Sequence, residues 1–128
     1  MKYLLDTHFV LWIPIDDPSM GRTARAILSN SSNEFVFSAA SLWEIAIKRS
    51  LARGNFAADP SLIRRQMIDH GYEELPVTGE HAAAVEVLPP IHKDPFDRIL
   101  IAQAQIEGIS LLTRDATIAR YPGPIRKV

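Results

Sequence analysis

Four carboxylates occupy positions in this chain where a fold could put them to use: Asp6, Glu44, Asp97 and Asp115. Asp6 directly follows the apolar run Lys2 to Leu5 and precedes Phe9-Val10-Leu11, so it sits in the most apolar part of the chain. A buried carboxylate without a partner is expensive, so it needs a cation, from a side chain or a metal. Four carboxylates drawn together would repel until some held protons, and a bound divalent cation removes both difficulties. Oxygen ligands without cysteine suit Mg²⁺ or Mn²⁺ rather than zinc.

Each acid also has a purely structural reading. Ser41-Leu42-Trp43-Glu44 matches a capping box at a helix start. Asp94-Pro95-Phe96-Asp97 matches an Asp cap, a Pro in the first turn and an acid favoured by the helix dipole. Asp6 suits a cap for a helix opening at Thr7, and Asp115 suits a turn. His8, His70, His81 and His92 are scattered without paired metal-ligand spacing, so all four are expected to be structural or on the surface. The chain has no glycine-rich phosphate loop, no G-x-S-x-G and no cysteine nucleophile.

The elements that must position these acids follow from the apolar pattern. Strands are expected at Lys2 to Leu5, Glu34 to Ser38, Tyr72 to Val77 and Ile109 to Thr113, with an edge strand at Ile125 to Val128. Helices are expected at Thr7 to Ile13, Arg22 to Ser29, Ser41 to Leu51, Pro60 to His70, Glu80 to Val87 and Pro95 to Glu107, with a helical turn at Thr117 to Arg120. Loops are expected at Ala52 to Asp59 and Leu88 to Asp94. Strands alternating with helices, without tight hairpins, imply an α/β domain with a mainly parallel sheet. Sites in such sheets form beyond the carboxyl ends of the strands, where Asp6 and Asp115 fall; neighbouring first and fourth strands would set them side by side.

The chain of 128 residues fits one domain, 1–128, and 47% apolar residues are enough for one core. A net charge of −1 gives no global field toward nucleic acid, which leaves a local site as the means of binding it. Basic residues are mostly Arg, suited to bidentate contacts with carboxylate or phosphate. The absence of cysteine is compatible with a reducing cytoplasm, Asp6 breaks any signal-peptide pattern, and no apolar run is long enough for a membrane helix. Of Phe9, Trp12 and Trp43, which could serve core, dimer or partner contacts, Trp43 is expected in the core.

Taken together, Tyr3-Leu4-Leu5-Asp6-Thr7-His8, Ser41-Leu42-Trp43-Glu44-Ile45-Ala46-Ile47-Lys48, His92-Lys93-Asp94-Pro95-Phe96-Asp97-Arg98 with the apolar helix behind it, and Leu111-Leu112-Thr113-Arg114-Asp115 resemble the PIN domain. More narrowly, they resemble the VapC toxins of prokaryotic toxin–antitoxin pairs. The resemblance implies a three-layer α/β/α fold with a sheet of about five strands. It implies metal-dependent cleavage of single-stranded RNA by Asp6, Glu44, Asp97 and Asp115, leaving 5′-phosphate and 3′-hydroxyl ends. Asp6, Asp97 and Asp115 would hold Mg²⁺ or Mn²⁺; Glu44 would hold a second ion or take the proton of the attacking water. Thr7, Ser41, Asp94, Arg98 and Thr113 fall on supporting positions. Arg22, Arg25, Lys48, Arg49, Arg53 and Arg114 are candidates for gripping RNA phosphates. The resemblance also implies a VapB-type antitoxin, a homodimer and a cytoplasmic location. The competing class is a PIN-like module that binds or regulates without catalysis. A phosphatase or phospho-receiver lacks support, since neither a second strand-end Asp nor an early acidic pair is present.

Overall fold

The chain was analysed as a computed structural model that describes residues 1–51 and 58–128. Five strands, β1 (Lys2–Leu5), β2 (Glu34–Ser38), β3 (Glu73–Leu75), β4 (Ser110–Thr113) and β5 (Ile125–Lys127), form one sheet in the order β3-β2-β1-β4-β5. Every pairing is parallel, so the sheet is wholly rather than mainly parallel. Central parallel strands are covered on both faces and read as continuous apolar runs. Tyr3-Leu4-Leu5 and Phe35-Val36-Phe37 are accordingly all buried.

Alternation along the strands divides the core. Tyr3, Leu5, Phe35, Phe37 and Leu112 face one layer, with Phe9 of α1 (Thr7–Trp12), Ala24 of α2 (Gly21–Ser29), Ile45 of α3 (Ala39–Leu51), and Ile63 and Met67 of α4 (Pro60–Asp69). Leu4, Val36 and Leu111 face the other, against Leu100, Ile101 and Ala104 of α6 (Pro95–Glu107), with Ala84 of α5 (Gly79–Ala84) at its margin. Each such fully buried Leu, Ile or Phe contributes roughly 1.5–3 kcal/mol. The three-layer α/β/α architecture expected from the sequence is the one found. No described helix is long and apolar enough to cross a membrane.

Several boundaries differ from the sequence reading. Helix α3 opens at Ala39 rather than Ser41, because the Ser38 hydroxyl takes the Ala40 N–H at 3.0 Å and starts the helix earlier. β3 shrinks to three residues at the sheet edge, and the helix expected at Glu80 to Val87 is α5 followed by a 3₁₀ turn, Val85–Val87. A 3₁₀ turn at Pro18–Met20, capped by Asp17, leads from α1 into α2. The expected loop Ala52 to Asp59, with Arg53, lies largely outside the described residues.

Helix α6 begins and ends as its sequence dictates. Asp94 caps it, Pro95 takes the first turn, and Gly108 closes it in the left-handed region at φ 67°. Nothing lies within 4 Å of where a Cβ on Gly108 would stand. Gly108→Ala should therefore cost only the conformational term, about 1 kcal/mol, read as a lower urea midpoint with unchanged slope.

Candidate metal centre

The strand order reverses at β1, with β2 and β3 on one side and β4 and β5 on the other. The crevice at this switch point is where an open parallel sheet receives a ligand. Asp6 leaves the end of β1, 2% exposed, with its backbone N–H donating to the Leu112 carbonyl of β4 at 3.1 Å. Its Oδ1 caps α1 through the Phe9 N–H at 3.3 Å, and its Oδ2 receives the Thr113 hydroxyl at 2.5 Å. Thr113 Oγ1 in turn accepts the Asp115 N–H at 3.0 Å, so one hydroxyl ties together the acids that follow β1 and β4. Burial pushes the Asp6 carboxyl above the usual carboxylate range, opposed first by the Thr113 hydroxyl.

Ser41 and Glu44 lie inside α3, not at its start, so the capping-box reading of this pair does not hold. The Ser41 hydroxyl pairs with the buried Thr7 hydroxyl at 2.9 Å, joining α3 to α1. Glu44 is 4% exposed; its Oε2 takes Lys48 Nζ at 2.7 Å, and its buried Oε1 has no partner among the described residues. The hydrogen bond that Lys48 donates to Glu44 raises its ammonium above its ordinary value, and Asp94 and Asp97 add to the effect.

Asp94 does cap α6, accepting the Phe96 N–H at 2.9 Å. That cap sets Asp97 in the first turn, where its Oδ2 meets His92 Nε2 at 2.9 Å. Burial, then Asp94, and more distantly Glu44 and Asp6, push the Asp97 carboxyl up to about 7, against the pull of His92. The charges that raise it come from three separate segments, which is the electrostatic signature of acids gathered into one site. Asp115 uses Oδ1 to cap the turn at Thr117 and Ile118, and its Oδ2 lies 3.8 Å from His92 Nε2.

Ligand atoms of His92, Asp97 and Asp115 lie within 4.8 Å of one another. The expected set was Asp6, Asp97 and Asp115; Asp6 stands outside this grouping, held back by Phe9 and Thr113. His92, expected to be structural or on the surface, is instead part of the acidic site. The signal was its place two residues before Asp94, which a search for paired histidines passes over. Of the remaining histidines, His81 is buried beside Glu107, His70 bonds Gln66 at the end of α4, and His8 lies against Trp12, close enough to Asp6 to pull its carboxyl down. Trp43, expected in the core, is 64% exposed, edge-on to Phe96 at 5.2 Å between ring centres. Its neighbours Leu42 and Ile45 take the inward side of α3, so a residue between them faces out.

The expected phosphate-gripping residues separate into tied and free. Arg25 binds Asp16, Arg49 lies 3.3 Å from Asp59, and Arg114 donates to the Ser19 carbonyl at 2.9 Å. Arg22 is exposed and forms no ion pair among the described residues, and Lys48 stands at the rim of the acids on Glu44. Arg53 lies outside the described residues. Arg98 does not touch the acids; it holds the backbone of the His92 loop, donating to the Val85, Leu88 and Pro89 carbonyls.

The donor set fits a hard divalent cation. Carboxylates outnumber nearby cationic groups, Asp6 and Asp97 resist ionisation without added positive charge, and Glu44 Oε1 has no partner among the described residues.

No curated protein matches the sequence. Among solved structures, the chain resembles VapBC2 from Rickettsia felis bound to a promoter DNA fragment (TM-score 0.69, 14% identity, 99% of this chain and 98% of that one). It resembles DNA-bound VapBC from Salmonella typhimurium (TM-score 0.63, 19% identity, 99% and 98%). It also resembles the PIN domain endonuclease Utp24 (TM-score 0.52, 16% identity, 99% and 84%). At these identities the likeness is one of fold. The family profile of the PIN domain matches residues 3–124, nearly the whole chain and all four acids, so this chain belongs to the PIN domain family.

Proposed function

We propose that this chain is a divalent-cation-dependent endoribonuclease acting on single-stranded RNA, and that it is the toxin of a VapBC-type pair. What supports the reading is that Asp97 feels the charges of Glu44 and Asp6 and lies with Asp115 around His92, while Glu44 Oε1 has no partner among the described residues. Membership of the PIN family supports nuclease chemistry, and the VapBC neighbours support the toxin role.

In this reading Asp6, Asp97 and Asp115 hold Mg²⁺ or Mn²⁺. The cation lowers the pKa of its water and offsets the charge that builds on the phosphodiester. Glu44, fixed by Lys48 and buried, keeps Oε1 available to take the proton of the attacking water. The Thr113 and Thr7–Ser41 contacts hold Asp6 against β4 and join α3 to α1. Lys48, beside Glu44, would meet phosphates at the site, while Arg25, Arg49 and Arg114 are engaged elsewhere. A VapB-type antitoxin inserting a basic segment would neutralise the same acids by charge-assisted hydrogen bonds. A homodimer in the cytoplasm completes the proposal.

Antitoxin-free protein should cleave labelled single-stranded RNA in Mg²⁺ or Mn²⁺. Asp6→Asn or EDTA should reduce cleavage about 10²–10³-fold, the scale of losing central electrostatic stabilisation. Cleavage that survives Asp6→Asn would remove the assignment. A folded, cation-binding protein that cleaves no RNA would favour the non-catalytic module.

A further inference from the structure

The residue before each of two site acids is aromatic: Trp43 precedes Glu44 on α3, and Phe96 precedes Asp97 on α6. The two rings meet edge-on, 5.2 Å apart between centres and 76° between planes. One residue further along each helix, Glu44 adds to the charge that raises the Asp97 carboxyl. The aromatic contact and the acid pair are therefore neighbouring rungs of one junction between α3 and α6. Phe96 is half-buried, and its N–H is fixed by the Asp94 cap, whereas Trp43 is 64% exposed. Beside Trp43 lies a hollow of about 420 Å³, lined by Ala39, Ala40, Val77, Ala82 and Ile99.

Trp43 belongs to neither layer of the core, so packing does not account for so large a ring. An exposed apolar surface at the edge of a polar site marks a place of contact. The bases of a single strand are held in this way, stacked on aromatic faces. Contacts to the phosphates have less to draw on. The chain carries a net charge of −1, and Arg25, Arg49 and Arg114 are engaged with other groups. The acids themselves repel a phosphate until a cation sits among them. We propose that Trp43, steadied by Phe96, is a stacking platform for an unpaired base of the single-stranded RNA, next to the phosphodiester that is cut. This rests on reading the acids as the centre of an RNA nuclease. A duplex, whose bases are already stacked and paired, cannot use such a platform. The contact is the same before and during bond cleavage, so it acts on KM rather than kcat.

The test reads the fluorescence of an Asp6→Asn, Trp12→Phe chain, in which Trp43 is the remaining one of the 2 Trp residues and the RNA stays whole. A short single-stranded RNA of mixed sequence is titrated in Mg²⁺, beside a strand of the same length whose sugars carry no bases. The RNA should quench Trp43 and the abasic strand should not. With Asp6 and Trp12 intact, Trp43→Ala should raise the KM for RNA cleavage about 5–150-fold, the range for one stacked base, and leave kcat nearly unchanged. Trp43→Phe should recover most of the loss. The salt dependence of KM should be the same in Trp43→Ala as in wild type, because no phosphate contact is removed. The ring is mostly exposed, so the melting temperature of Trp43→Ala should stay near that of wild type, and lost folding would not mimic this pattern. Equal quenching by the abasic strand overturns the proposal, as does an unchanged KM in Trp43→Ala. A Trp43 emission that shifts to the blue as protein concentration rises, in step with dimers that Trp43→Ala dissolves, gives the face to a second copy of the chain and overturns it too. Cleavage by wild type without quenching removes the platform alone, whereas quenching by RNA that wild type never cleaves removes the nuclease reading alone.

Discussion

Asp97→Asn should abolish cleavage while making the metal-free protein more stable at neutral pH. The Asp97 carboxyl is pushed up to about 7 in the folded chain by burial and then by Asp94, against an ordinary value of 3.8. An acid whose folded value is raised binds its proton more tightly when folded. Its cost is absent below the unfolded value and grows as pH rises from about 4 toward 7. Above that it stays at its full size, on the order of 2–4 kcal/mol. The side chain is only 17% exposed, so solvent screens little of this. An Asn removes the charge and keeps the size of the side chain, so the cost disappears and the shape remains. Urea unfolding in EDTA at pH 5 and pH 7.5 tests it: the advantage of Asp97→Asn should be small at the lower pH and largest at the higher. Saturating Mn²⁺ should reverse the order, because only the wild type gains from ligand linkage. An Asn variant no more stable than wild type at pH 7.5 would falsify the account of a site strained by its own charge. Stability sacrificed at a site that only a cation can relieve is the expected mark of function rather than of folding.

The sequence made the frame legible wherever local rules and burial agree. β1 and β2 are short apolar runs between polar ends, and both are found at the residues where the pattern put them. α6 carries an Asp cap, a first-turn Pro and a closing Gly, and its bounds match to the residue. Where two rules compete, the reading slips. Ser41 and Glu44 imitate a capping box, yet Ser38 starts the helix first and leaves both inside, where Ser41 bonds Thr7 and Glu44 joins the acids. Trp43 was expected in the core by size alone, but the helix turns it outward. Asp6 was the acid hardest to explain structurally, and its burial and its bond to Thr113 come from β1–β4 pairing across more than a hundred residues. His92 was passed over because its role depends on a turn that folds the ring back onto Asp97. Spacing identifies ligands that share a helix face, but not a side chain delivered by a loop.

Arg98→Ala should be the most destabilising single change near the site, although Arg98 contacts none of the four acids. Its Nη1 donates to the Pro89 carbonyl at 2.9 Å and to the Tyr121 hydroxyl at 3.1 Å; its Nη2 donates to the Val85 carbonyl at 3.1 Å and the Leu88 carbonyl at 3.4 Å. The segment from Val85 to His92 has little regular structure, so these bonds stand in for a ladder. Truncation leaves several partly buried carbonyls without donors, at about 1 kcal/mol or more each, or about 3 kcal/mol in sum. For a domain of this size that lowers the melting temperature by about 10 °C. Arg98→Lys should recover less than half, because one ammonium cannot span carbonyls that the planar fork reaches from two nitrogens. The same change should weaken Mn²⁺ binding, since His92 hangs from the loop that Arg98 secures. Tyr121→Phe separates the two effects: it removes the hydroxyl that meets the His92 N–H and leaves the Arg98 bonds to Val85, Leu88 and Pro89 intact. Its cost in stability should be about 1 kcal/mol, with a loss of Mn²⁺ affinity approaching that of Arg98→Ala. If Tyr121→Phe leaves the affinity untouched, the loop's contribution is to folding alone, and the acids are held in place from α6 without it.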